Sequence, residues 1–174
     1  MKTEFTIALL ELIISIGIGI TTVYLTKWLL TKQYTKRTAE LNPYKNTAFM
    51  VFLSGTIFSV GYIVFGIMEP LSATIKLLGS QNPSMLSLVV DTTKFLLMFL
   101  VLGYLFAGTI IFLAYKLFSS FTTKVDEYEE IYNNNIGVAL LLAVLTIVIA
   151  LFTKAPFIVF IESLIPFPAV PGLA

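Results

Sequence analysis

The sequence predicts an all-α integral membrane protein with four transmembrane helices. Three observations predict it. The chain of 174 residues is 57% hydrophobic and only 12% charged, with a mean hydropathy of +0.93, far from the balance of a soluble domain. Four separate apolar runs reach the roughly 17 to 25 residues that a helix needs to cross a bilayer core. The runs are continuously apolar rather than alternating, so they read as helices, which satisfy their own backbone groups in lipid, and not as barrel strands.

The first run covers residues 5–25 and contains Glu11. It lacks a small-residue cleavage pattern and is longer than an ordinary signal-peptide core, so it reads as a retained span. The second covers residues 47–68 and the third residues 93–115. The fourth, residues 136–152, is the shortest, with Lys154 and Pro156 expected to stop it. Between the spans, the first and third connections carry seven Lys and Arg: Lys27, Lys32, Lys36, Arg37, Lys45, Lys116 and Lys124. The opposite face carries only Lys2, Lys76, Lys94 and Lys154. The positive-inside rule therefore places these two connections in the cytoplasm and both termini outside. Trp28, Tyr34 and Tyr44 then fall in the cytoplasmic aromatic belt.

The second half repeats the first. Residues 17–62 align without a gap on residues 106–151, placing Gly19 on Gly108, Lys27 on Lys116, Glu40 on Glu129 and Asn46 on Asn135. Each half continues beyond the alignment into a short, singly charged apolar segment that follows Pro70 or Pro156 and is expected to lie at the outer interface. The chain divides into a first two-span hairpin with its interfacial segment, residues 1–85, and a second, residues 86–174. Because a hairpin returns the chain to its starting side, the two repeats are parallel.

Composition removes several function classes. A formal charge of +1 offers no basic surface to hold nucleic acid by counterion release. With no Cys and no His, there is no disulfide, no thiolate or imidazole metal site and no Cys-His or Ser-His pair. We therefore expect no enzymatic activity, no catalytic residues, no metal and no cofactor.

The stretches "ELNPYKNTAFMVFLSGTIFSVG" and "EEIYNNNIGVALLLAVLTIVIA" resemble the YjfL-like family of uncharacterised bacterial inner-membrane proteins. The matching residues are Asn46, Ala48, Gly55 and Gly61 in the first half and Asn135, Gly137, Ala139 and Ala143 in the second. Lys45 and Asn134 stand where the pattern has a Gly before the Asn. The resemblance implies a tandem two-span architecture in the bacterial inner membrane and supplies no reaction or catalytic residue.

Few residues stand out as candidate sites. Asn46 and Asn135 open the second helix of each hairpin, where Asn accepts hydrogen bonds from free backbone N–H groups. Capping needs only local geometry and leads; the alternative is a cytoplasmic entrance lined by both residues. Glu11 lies about 6 residues, or roughly 9 Å, inside the first span. A carboxylate there is expected either to snorkel outward or pair with Lys94, or to handle a proton or cation. Asp91 and Lys94, three apart, share a helix face and are expected to neutralise each other. "DEYEE", residues 126–130, reads as a solvated acidic face, and "TKQYTKR", residues 31–37, as a basic one able to touch anionic lipid heads. Small residues recur one turn apart at Ser15 and Gly19, Gly55 and Ser59, Gly103 and Ala107, and Ala139 and Ala143, a spacing that lets helix backbones approach closely.

The leading functional expectation is a structural or accessory subunit of a membrane assembly. Its partners are the lipid bilayer and either further copies of itself or other membrane subunits. The alternative is a small ion or solute conduit formed by an oligomer, with Glu11 in the membrane and the two Asn at the mouth.

Overall fold

A computed structural model describes residues 2–37, 42–81, 85–122 and 126–165. The elements in chain order are α1 (Lys2–Arg37), a 3-10 turn (Pro43–Lys45), α2 (Thr47–Phe65), α3 (Met68–Gln81), α4 (Met85–Phe121), α5 (Glu127–Tyr132) and α6 (Ile136–Glu162). No strand occurs among the described residues. Four segments are long and apolar enough to cross a membrane: Glu11–Lys36, Thr47–Ser80, Leu86–Phe121 and Ile136–Glu162. At 1.5 Å per residue α1 and α4 each extend about 55 Å, well beyond a hydrocarbon core. The first and third connections predicted from hydropathy are therefore helical over much of their length.

The two second helices of the hairpins, α2 and α6, form the most extensive contact in the chain. Gly55 allows it: a Cβ at this position would lie 2.9 Å from Ala143 Cα and overlap the Ala143 methyl group. Ser59 and Ala139, one turn from each, are buried in the same seam. Close backbone approach matters in lipid because association there depends on packing rather than on expelling water. Ser59, Thr56 and Thr146 are buried in the membrane-spanning part of α2 and α6 without unpaired hydroxyls, each donating to the carbonyl four residues earlier.

The other two helices flank this pair. On α4, Gly103 and Ala107 are buried, and a Cβ at Gly103 would make ordinary contacts with Ile67 and Val64. Helix α1 presents the stripe Ile18, Thr22 and Thr26 to the bundle. There Thr22 donates to Ile18 O at 2.7 Å, which leaves Tyr104 of α4 to donate to the Thr22 hydroxyl at 2.9 Å. Of the expected packing positions, Ser15 and Gly19 find no such role within the chain: Gly19 is exposed, and a Cβ there would meet nothing within 4 Å.

Proline acts differently in the two halves. Pro70 has no N–H for the Gly66 carbonyl, and the ladder tightens to Gly66 N→Ile63 O and Ile67 N→Val64 O before resuming as α3. Pro156 does not stop the fourth span as expected. Helix α6 passes through it to Glu162, because Phe157 and Ile161 beyond the proline are buried in the core and hold the helix on its course. Lys154, expected to end the span, sits with its ammonium 4.3 Å from the Tyr62 ring centre and 4.9 Å from that of Phe65. The second interfacial segment is therefore largely the end of α6. Its counterpart α3 is a separate helix packed along the first part of α4.

Gly55→Ala is expected to lower stability by about 1–3 kcal/mol through overpacking against Ala143, although Ala is the better helix former. Gly61→Ala, whose Cβ would meet nothing within 4 Å, is expected to be neutral or slightly stabilising. Thermal unfolding midpoints of the two variants in detergent check both expectations.

Candidate functional site

Among the described residues, polar groups from both halves converge where α2 begins. Asn42 first turns the backbone: its Oδ1 accepts from Tyr44 N at 3.0 Å, and Pro43 opens the 3-10 turn. The turn delivers Asn46 in an extended conformation, with φ −93° and ψ 107°, to the N-cap of α2. Its Oδ1 accepts from Phe49 N at 2.8 Å. Its Nδ2 donates to Ile131 O at 2.8 Å, Tyr132 O at 3.1 Å and the Tyr34 hydroxyl at 3.0 Å. One side chain thus caps the start of α2, the end of α5 and the Tyr34 hydroxyl of α1. With both amide hydrogens engaged and only 8% of its surface exposed, Asn46 presents no free donor to an ion or solute.

The second hairpin returns the contact through Asn134. Its Oδ1 accepts from Ala48 N at 2.9 Å, so two of the four free N–H groups of α2 are satisfied by two Asn from different halves. Asn134 has φ 61°, the left-handed region. Asn is among the non-glycine residues that tolerate this conformation best. Asn135 then caps α6, accepting from Val138 N at 3.3 Å while its Nδ2 donates to Glu130 Oε2 at 2.6 Å. Asn135 is exposed, unlike its sequence counterpart Asn46.

The acidic run is not a uniformly solvated face. Asp126 caps α5 through Tyr128 N at 3.0 Å and Glu129 N at 3.2 Å, and Glu130 holds Asn135. Glu127 is 2% exposed; Thr122 Oγ1 lies 3.5 Å from its Oε1, and the Tyr115 hydroxyl is within its hydrogen-bonding reach. Beside this joint, between α1, α2 and α5, is a cavity of about 160 Å³ lined by Leu30, Tyr34, Phe49, Phe52, Tyr128 and Tyr132, with Gln33, Lys36 and Ile131 completing it. The Tyr34 ring packs 4.3 Å from Phe49 and 4.9 Å from Tyr132.

Glu11 lies away from the Asn joint. Its Oε1 accepts from Ser72 Oγ of α3 at 2.8 Å, so its partner is a hydroxyl and not Lys94. Lys94 instead meets Asp91 at 2.9 Å on the exposed face of α4. The three expected members of a membrane polar site thus separate into a part-buried Glu11–Ser72 hydrogen bond and a surface ion pair. Among the described residues, no three carboxylates gather in a way that could hold a metal ion.

Sequence reading missed Asn134, Tyr34, Ser72 and the buried Glu127. The run of three Asn was a signal, since one helix start uses one cap. The other three residues carry no pattern that marks a partner 12, 61 or 5 residues away.

Four apolar helices, tied at one end by an asparagine joint, define a multi-pass α-helical membrane protein. The chain belongs to the family described as Domain of Unknown Function (DUF350), whose family model matches residues 4–157. No curated protein and no solved structure matches it.

Asn46→Ala leaves Phe49 N, Ile131 O and Tyr132 O without this partner and is expected to cost about 2–4 kcal/mol. Asn135→Ala, at an exposed cap, is expected to cost about 1 kcal/mol. Asn134→Ala, which combines a lost cap with a left-handed Ala, is expected to cost more than Asn134→Gly. Denaturant titrations of the four variants in one detergent rank them.

Proposed function

We propose that the protein is a structural or accessory subunit of a bacterial inner-membrane assembly, without catalytic activity, associating with copies of itself or with other membrane subunits. The observation that carries this reading is the contrast between used and unused close-approach positions. Gly55 brings α2 against Ala143, whereas Gly19 on α1 and Gly108 on α4 have open space where a Cβ would be. Such positions on lipid-facing helices suit a neighbouring helix better than an acyl chain. The polar groups that might do chemistry are engaged in caps and joints, which supports the same reading.

The YjfL-like resemblance and the origin of both halves from one duplicated hairpin belong to this proposal. Supporting them, Asn46 and Asn135 each cap the second helix of a hairpin. The α2–α6 crossing also lies near the register of the repeat, in which Gly55 aligns with Val144, the neighbour of Ala143. Both termini are assigned to the extracytoplasmic side.

A second reading, an oligomeric conduit, is favoured by one observation: the partly buried Glu11–Ser72 hydrogen bond within a spanning helix. It predicts flux in proteoliposomes that Glu11→Gln abolishes; a variant that conducts like wild type removes Glu11 from any pathway.

The chain contains no Cys, so single cysteines test the leading reading directly. Gly19→Cys is expected to form a disulfide-linked dimer, or an adduct with another subunit, in oxidised native membranes. An exclusively monomeric product from Gly19→Cys and from Gly108→Cys alike defeats the proposal. For topology, an impermeant maleimide added to intact cells is expected to label Gly79→Cys and spare Gln33→Cys; the reverse pattern inverts the assignment.

A further inference from the structure

Where α1 leaves its apolar span it forms one wall of a groove of about 360 Å³, closed on the other side by Tyr44 from the 3-10 turn. Its helical lining, Tyr24, Lys27, Trp28, Thr31, Lys32 and Thr35, repeats at intervals of three and four and therefore follows one broad face of α1. It contains two cations and no carboxylate. Lys27 Nζ lies 5.2 Å from the Tyr44 ring centre, and Lys32 Nζ lies 4.7 Å from that of Trp28. Among the described residues neither lysine has an ion-pair partner.

The groove also holds an unused donor. Thr35 donates to Thr31 O at 3.0 Å, with Lys32 O at 3.3 Å, whereas the Thr31 hydroxyl is sealed from solvent without any hydrogen-bond partner. An unsatisfied hydroxyl is costly to bury, and Thr31 itself is part of the groove lining. Two ammonium groups and one free hydroxyl around a concavity are complementary to a phosphate.

The surroundings decide which phosphate. Towards the N-terminus the same face of α1 continues as Ile20, Gly17 and Ile13, all exposed, with Ile20 at 68%. Trp28 and Tyr44, at the polar end of that strip, have the amphipathic character of residues at headgroup level. A soluble anion has no use for an apolar strip leading away from it, whereas the acyl chains of a phospholipid lie along one. We propose that this groove is a specific binding site for an anionic phospholipid, with the phosphate between Lys27, Lys32 and the Thr31 hydroxyl and the chains along Ile20, Gly17 and Ile13. The site requires only that the chain sits in a bilayer. It is independent of the assembly and conduit readings.

Trp28 is the only Trp in the chain, and it lies in the groove, so its fluorescence reports occupancy. Full-length protein in a nonionic detergent is titrated with phosphatidylglycerol carrying brominated chains and, separately, with phosphatidylcholine carrying the same chains. Half-maximal quenching is expected at a clearly lower mole fraction of phosphatidylglycerol, with each lysine contributing about fivefold. Lys27→Gln with Lys32→Gln is expected to abolish the preference, the corresponding double Arg variant to keep it, and Lys76→Gln to leave it unchanged.

Thr31→Val retains both charges, and losing the hydrogen bond is expected to weaken phosphatidylglycerol quenching by about fivefold. Equal quenching by both lipids in wild type overturns the proposal. An unaltered Thr31→Val curve overturns it in favour of general surface attraction. Displacement of the lipid by millimolar inorganic phosphate overturns it in favour of a soluble anion.

Discussion

The close approach of α2 and α6 at Gly55 and Ala143 is the contact on which the rest of the bundle depends. Once these two backbones touch, the positions around the crossing become a continuous interior. Val60, Ile63 and Val64 of α2 join Ala150, Phe157 and Ile161 of α6 in one cluster, into which α4 packs Phe99 and Ala107. Towards the other end, Ala48, Phe49 and Leu53 meet Ala139 and Leu142 in a second cluster, closed by Tyr34 and Phe118. A side chain at residue 55 would separate the helices and open both clusters. In water a looser interface could still be held by the hydrophobic effect; between helices in lipid that compensation is largely absent.

The polar chemistry of the molecule is organised around the same pair. Helix ends leave N–H and C=O groups without partners, and near a membrane surface the supply of water to satisfy them is limited. Asn46 and Asn134 meet this need across the two halves: each side chain supports backbone of the other hairpin. This accounts for the difference between Asn46 and Asn135 despite their matching places in sequence. The first reaches a neighbouring helix end and is buried, and the second bonds to Glu130 and Val138 of its own hairpin.

The parts of the structure written in local pattern were legible from the sequence. Continuous apolarity located all four spans, and an Asn at a helix threshold identified the caps at α2 and α6. What escaped depended on partners distant in sequence. Pro156 looked like a terminator because its local effect is to remove a hydrogen bond, but burial of Phe157 and Ile161 outweighs that loss. Glu127 looked solvated because its neighbours are charged, yet α5 turns it inward towards Tyr115. Glu11 was expected to seek a cation and instead meets Ser72, a residue whose hydroxyl gives no hint in sequence of which helix it faces.

The Asn46 joint also bears on the order in which the molecule is completed. A chain made from its N-terminus produces α1 and α2 before Ile131 and Tyr132 exist, so the Asn46 amide begins without two of its eventual acceptors. The free Ala48 N–H likewise waits for Asn134. The first hairpin alone is thus an unfinished half, with these polar groups unpartnered at one end, and becomes whole when the second is added. A chain that stops short of residue 131 keeps the Asn46 amide and the Ala48 N–H at a defined place without the acceptors that Ile131, Tyr132 and Asn134 supply.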